Sequence, residues 1–99
     1  VVPYFRLARP DEESVDEDYW FALTVILQLV QAQQWYPLLV HCRAGAHRSP
    51  NVAIVAESMF SGRKWADVAL DARAIRPDID QGEQVFAQTL IERFLREQS

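Results

Sequence analysis

Leu38-Leu39-Val40-His41-Cys42-Arg43-Ala44-Gly45-Ala46-His47-Arg48-Ser49-Pro50 is the stretch on which the fold reading turns. Leu38 to Val40 read as a short buried strand. The only cysteine of the chain follows directly after His41. Beyond Pro50, the residues from Asn51 to Phe60 are small and apolar at helical spacing. Strand, tight loop and helix therefore succeed one another. Such a turn aims loop amides and a helix N-terminus at one point beyond the strand, which makes an anion site. A thiol at that point loses its proton easily, because the same field stabilises the thiolate.

Each loop residue has an assignable task. Cys42 is the candidate nucleophile. Gly45 lets the backbone turn with positive φ and brings amides close to a ligand. Arg48 can hold two oxygens of a phosphate with its planar fork. Ser49 can donate a hydrogen bond to the sulfur and ease its departure. His41 can orient the loop through a backbone hydrogen bond. Arg43, Ala44, Gly45, Ala46, His47 and Arg48 together are the expected phosphate-binding segment. The competing reading makes Cys42 a buried core cysteine, but it leaves Gly45, Arg48 and Ser49 unexplained.

His41-Cys42, five further residues and Arg48-Ser49 resemble the phosphate-binding loop of the cysteine-dependent protein tyrosine phosphatases. The form His-Cys-Arg-Ala-Gly-x-x-Arg-Ser-Pro resembles that of their dual-specificity branch. The resemblance implies hydrolysis of a phosphomonoester through a cysteinyl-phosphate, with no cofactor and no metal. It also implies a general acid on a loop upstream of the nucleophile. Arg9-Pro10-Asp11 resembles that loop, and Asp11 stands 31 residues ahead of Cys42. The chemistry needs such a group, because the leaving oxygen must be protonated as the thiolate attacks phosphorus. Glu12, Asp16 and Asp18 compete with Asp11 for this role. Family domains carry further strands and a helix ahead of the acid loop, and Val1 is no translation start. The expectation is therefore a domain lacking or truncated in its N-terminal part.

Composition narrows the alternatives. The 99 residues make one domain, 49% apolar and 24% charged, in the range of an ordinary globular chain. A net charge of −4 argues against broad binding to nucleic acid or anionic membranes. One cysteine permits no intrachain disulfide, and a reducing cytoplasm suits a catalytic thiolate. No apolar run approaches a membrane span, since Gln28 and Gln31 interrupt the longest one. The histidines and the cysteine lack metal-ligand spacing.

The rest of the chain reads as alternating punctuation and periodic segments. Val1 to Tyr4 reads as a strand that can extend through Leu7, with Pro3 suited to a start or an edge and an irregular entry segment as the alternative. Pro10 and the acids after it mark a loop. Ser14 and Glu17 fit a capping box opening a helix from Val15 to Gln34, with Tyr19, Trp20, Leu23, Ile26, Leu27 and Val30 on its inner face. Gly62 suits the C-terminal cap of the helix over 51–60. Lys64 to Arg73 is a short amphipathic helix with Trp65, Val68, Ala69 and Ala72 inward, and Arg76-Pro77 stops it. Gln81 to Glu97 is the last helix, with Val85, Phe86, Leu90, Phe94 and Leu95 as its stripe. Arg76-Pro77 resembles a pair the family carries, and Gln81 stands where the family often has Asn.

The resulting expectation is an α/β domain, a small central sheet flanked by helices, with the phosphate site at the C-terminal end of the Leu38–Val40 strand. The partner is a phosphorylated protein or another phosphomonoester. Three rivals stay open. They are a phosphate-binding module without turnover, sulfur transfer on Cys42, and a redox-sensing thiol, the last lacking a resolving cysteine.

Overall fold

A computed structural model describes residues 4–42 and 48–98. Four helices form it: α1 (Glu17–Gln33), α2 (Arg48–Ser61), α3 (Trp65–Ile75) and α4 (Val85–Gln98). There is no β-strand among the described residues. This overturns the α/β expectation of a small central sheet flanked by helices.

The reason lies in what a strand requires. An extended segment becomes a strand only by pairing, and a lone pair of short strands is marginal in water. Residues 38–40 carry no regular secondary structure, Leu39 is 83% exposed, and no backbone bond among the described residues joins this segment to residues 4–7. Rings on either side of it reach residues 4–7, Tyr4 lying against His41 at 6.4 Å and Phe5 against Trp35 at 6.2 Å. Pro37 removes one donor from this region. Apolar burial is supplied by helices instead.

The main core joins α1, α2 and α4. Tyr19, Trp20, Leu23 and Leu27 of α1 pack with Val55 and Ala56 of α2 and with Phe86, Leu90 and Phe94 of α4. A second cluster sets Ile54 of α2 against Val68 and Ala69 of α3 and Ile79 of the following turn. Neighbouring residues Ile54 and Val55 thus face different clusters, and α2 is apolar on more than one side because it is covered on more than one side. Two of its buried polar side chains reach backbone carbonyls beyond the helix. Ser58 Oγ donates to the Arg63 carbonyl at 2.6 Å, and Asn51 Nδ2 donates to the Asp80 carbonyl at 3.2 Å.

The helix ends differ in detail from expectation. Asp16, rather than Ser14, caps α1, its Oδ1 accepting the Tyr19 N–H at 2.8 Å. Ser14 is too early, because the Val15 N–H is drawn out of the helix by Thr89 Oγ1 of α4 at 2.8 Å. Helix α1 ends at Gln34 in the left-handed region with φ 54°. Helix α2 begins at Arg48, ahead of the expected Asn51, and Gly62 follows it with φ 76°, its N–H on the Ser58 carbonyl. Helix α4 begins at Val85 rather than Gln81, because Asp80 holds the backbone N–H groups of Gly82, Glu83 and Gln84 in a turn. No helix among the described residues is long and apolar enough to cross a membrane.

Candidate functional site

The site forms where the start of α2 meets the turn ahead of α1. Pro10 and the three residues after it make that turn, closed by the Glu13 N–H on the Pro10 carbonyl at 3.1 Å. Two bonds between residues distant in sequence seat it on α4. The Phe86 N–H donates to the Asp11 carbonyl at 2.9 Å, and Val15 is held by Thr89. These N–H groups lie at or beside the start of a helix, where no intrahelical partner exists for them.

Arg48, the first residue of α2, reaches across to this turn. Its Nε lies 2.8 Å from Asp11 Oδ1, and its Nη1 donates to the Arg9 carbonyl at 3.1 Å. Both Nε and Oδ1 are buried, yet neither makes a directed hydrogen bond. The contact is an ion pair without aligned geometry, weaker than a two-pronged carboxylate fork. Arg9, Pro10, Asp11, Glu12 and Arg48, with Ala8, line an open cleft of about 370 Å³.

Cys42 and Ser49 meet at α2's first turn, and neither lines that cleft. Cys42 is a partly buried cysteine. Its Sγ is 3.2 Å from Ser49 Oγ and accepts the Ser49 N–H at 3.3 Å. An N–H of a helix's first turn therefore points at the sulfur, a placement that favours negative charge there. Arg76 senses the same sulfur. It is raised above its ordinary pKa first by its hydrogen bond to Asp78, with the Cys42 charge adding to the effect.

The remaining expected residues fall out as follows. Arg43, Ala44, Gly45, Ala46 and His47 lie outside the described residues. His41 is exposed and lies against Tyr4, and no hydrogen bond joins it to the described backbone. Asp16 is occupied by the helix cap and by Arg9, whose Nη2 lies 3.2 Å from its Oδ2. The Tyr19 amide, with Arg9 adding, holds the Asp16 carboxyl below its usual range. That makes Asp16 a poor proton donor. Glu12 and Asp18 are exposed. Gln81 is exposed as well, while its neighbour Asp80 is buried and tied to Asn51 of α2. Asp80 was missed because its role depends on contacts 29 residues away, which carry no periodic signal.

A larger hollow, of about 640 Å³, is lined by Tyr36, Leu38, Ala53, Phe60, Ile75 and their neighbours. It contains none of Cys42, Arg48 and Asp11, so its size does not make it the site. Among the described residues no three His, Cys, Asp or Glu side chains are grouped to hold a metal.

Comparison of the chain with protein families, curated proteins and solved structures finds no match.

Proposed function

We propose that this chain is a cysteine-dependent phosphomonoester hydrolase of the protein tyrosine or dual-specificity type. The observation that carries the reading is the pairing of Cys42 with Ser49 at the start of α2, where the Ser49 N–H donates to Sγ and the Cys42 thiol donates to Ser49 Oγ. In the first step the Cys42 thiolate attacks phosphorus, the S–P bond forms and the bond to the leaving oxygen breaks. Arg48 and the loop amides stabilise the equatorial oxygens, and Asp11 gives its proton to the leaving oxygen. In the second step water attacks phosphorus and passes a proton to the Asp11 carboxylate. The S–P bond then breaks, inorganic phosphate forms and the sulfur leaves as thiolate, helped by the Ser49 hydroxyl.

The ion pair of Arg48 with Asp11 is the resting state in this scheme. An incoming phosphate takes over the guanidinium and releases Asp11 for its proton transfers. The same pair also favours a second reading, a module that binds phosphate without turnover, because it holds the acid on Arg48 instead of on a leaving group.

Hydrolysis of a simple aryl phosphate by the wild-type chain and by Cys42→Ser separates the two. The proposal expects turnover that vanishes in Cys42→Ser while phosphate affinity persists. Retained turnover in the variant would falsify the covalent mechanism. A folded wild-type chain that binds phosphate but turns nothing over makes the binding module the correct reading.

A further inference from the structure

We infer that Arg9 is a positioning residue for the Asp11 acid, bracing the acid turn from α1 through its side chain; this rests on the phosphatase reading. Arg9 touches both ends of the arrangement. Its carbonyl receives Arg48 Nη1 at 3.1 Å. Its guanidinium turns the opposite way, with Nη2 at 3.2 and 3.3 Å from the two Asp16 oxygens and Nη1 at 3.3 Å from Glu13 Oε2. The same guanidinium lies over the Tyr19 ring, 5.4 Å from its centroid.

These contacts close a circuit around Asp11. Asp16 caps α1, so Arg9 is tied to the first turn of a helix rather than to a mobile side chain. Tyr19 packs edge-on against Phe86 at 5.4 Å, and the Phe86 N–H holds the Asp11 carbonyl. Arg9 and Phe86 therefore grip the chain at and immediately before Asp11, from α1 and from α4. Tyr19 is buried, and burial pushes its phenol up to about 12, so the ring under Arg9 stays neutral and its face available. Cation–ring attraction and a paired carboxylate act on the planar guanidinium at once, which lysine cannot reproduce. Glu13 is exposed and adds little. Since a proton donor displaced by about 1 Å can cost on the order of 10²-fold in rate, a brace here acts on the protonation step.

The consequence is specific to leaving-group chemistry. Phenyl phosphate has a poor leaving group and needs the acid, whereas 4-nitrophenyl phosphate needs it little. Arg9→Ala keeps the carbonyl that receives Arg48, so KM is expected to hold. The ratio of kcat on phenyl to kcat on 4-nitrophenyl phosphate is expected to fall about 10-fold or more. Arg9→Lys should fall between wild type and Arg9→Ala. In an Asp11→Asn background, Arg9→Ala should leave the ratio where Asp11→Asn put it, because the two act on one step. Asp16→Asn provides a milder second variant, since Asn caps a helix as well as Asp does while removing the charge opposite Arg9. It should shift the ratio in the same direction by a smaller factor. Equal losses on both substrates, or an unchanged ratio in Asp16→Asn and Arg9→Ala, overturn the assignment and leave the phosphatase reading intact. An additive effect in the Asp11→Asn background overturns it too. A folded wild-type chain inactive on both substrates removes the phosphatase reading and this inference together.

Discussion

Arg48 Nε and Asp11 Oδ1 stand 2.8 Å apart, joining the first residue of α2 to the turn that precedes α1. An oxyanion arriving at Arg48 must compete with this carboxylate. A partly exposed pair of this kind contributes up to about 1 kcal/mol, a few-fold in affinity. Asp11→Asn should therefore bind inorganic phosphate or tungstate about 2–5-fold more tightly than wild type. The same change should slow hydrolysis of phenyl phosphate by on the order of 10²-fold. Titration calorimetry and steady-state kinetics read the two effects, which have opposite signs. Weaker anion binding in Asp11→Asn would mean that Asp11 helps to hold the anion rather than competing for Arg48.

Arg48→Lys keeps the charge and removes the fork. A bidentate, charge-assisted contact is worth roughly 1.5–3 kcal/mol, so tungstate affinity should fall about 10-fold or more. Stability should change by less than about 1 kcal/mol, because only one ion pair and one carbonyl contact are altered. Wild-type tungstate affinity in Arg48→Lys would show that the guanidinium does not face the ligand.

Where burial follows helical periodicity, the sequence was a sound guide. Tyr19, Trp20, Leu23, Leu27 and Val30 are buried on α1, and Phe86, Leu90 and Phe94 on α4, as their spacing requires. Val85 and Leu95 read as part of the same stripe but are 40% and 44% exposed, because at 100° per residue Val85 falls on the side of α4 away from Phe86, Leu90 and Phe94, and Leu95 falls past the edge of that face. The closeness of Cys42 to Ser49 was also legible, since loop and helix bring them together locally. The sheet was not, because Leu38 to Val40 satisfy the apolar criterion for a strand whether or not a partner exists. Arg9 with Asp16 and Asn51 with Asp80 could not be read either. Such polar contacts depend on where helices pack, not on a repeat.

The difference between sheet and helical packing can be measured at Leu39. In the interior of a central strand, Leu39→Ser would cost at least about 2 kcal/mol. With the side chain 83% exposed, the expected change lies within about 0.5 kcal/mol. Phe86→Ala is the reference, because Phe86 is fully buried between α1 and α2 and its loss should cost about 3–5 kcal/mol. Urea unfolding of the two variants beside wild type gives both numbers. A large penalty at Leu39 would restore a buried central segment and count against the helical arrangement.

Asp16 offers the last test, because it links the α1 cap to the brace on the acid turn. Its Oδ1 accepts the Tyr19 N–H at 2.8 Å, and its carboxyl is held below its ordinary value chiefly by that amide, with Arg9 adding. A carboxyl whose folded pKa is depressed contributes stability above its unfolded value of about 4, and that contribution is lost as pH falls through the folded value. The wild-type melting temperature should therefore drop more steeply below about pH 4 than that of Asp16→Asn, which caps without titrating. At neutral pH, Asp16→Ala should melt lower than wild type, because the Tyr19 N–H loses its acceptor. Ser14→Ala should not, because Ser14 lies outside the cap. Thermal melts of the four proteins between pH 3 and 7 decide the matter. If Ser14→Ala were the damaging change and Asp16→Asn kept the wild-type acid slope, the cap would belong to Ser14, and Arg9 would have lost the anchor that holds the acid turn.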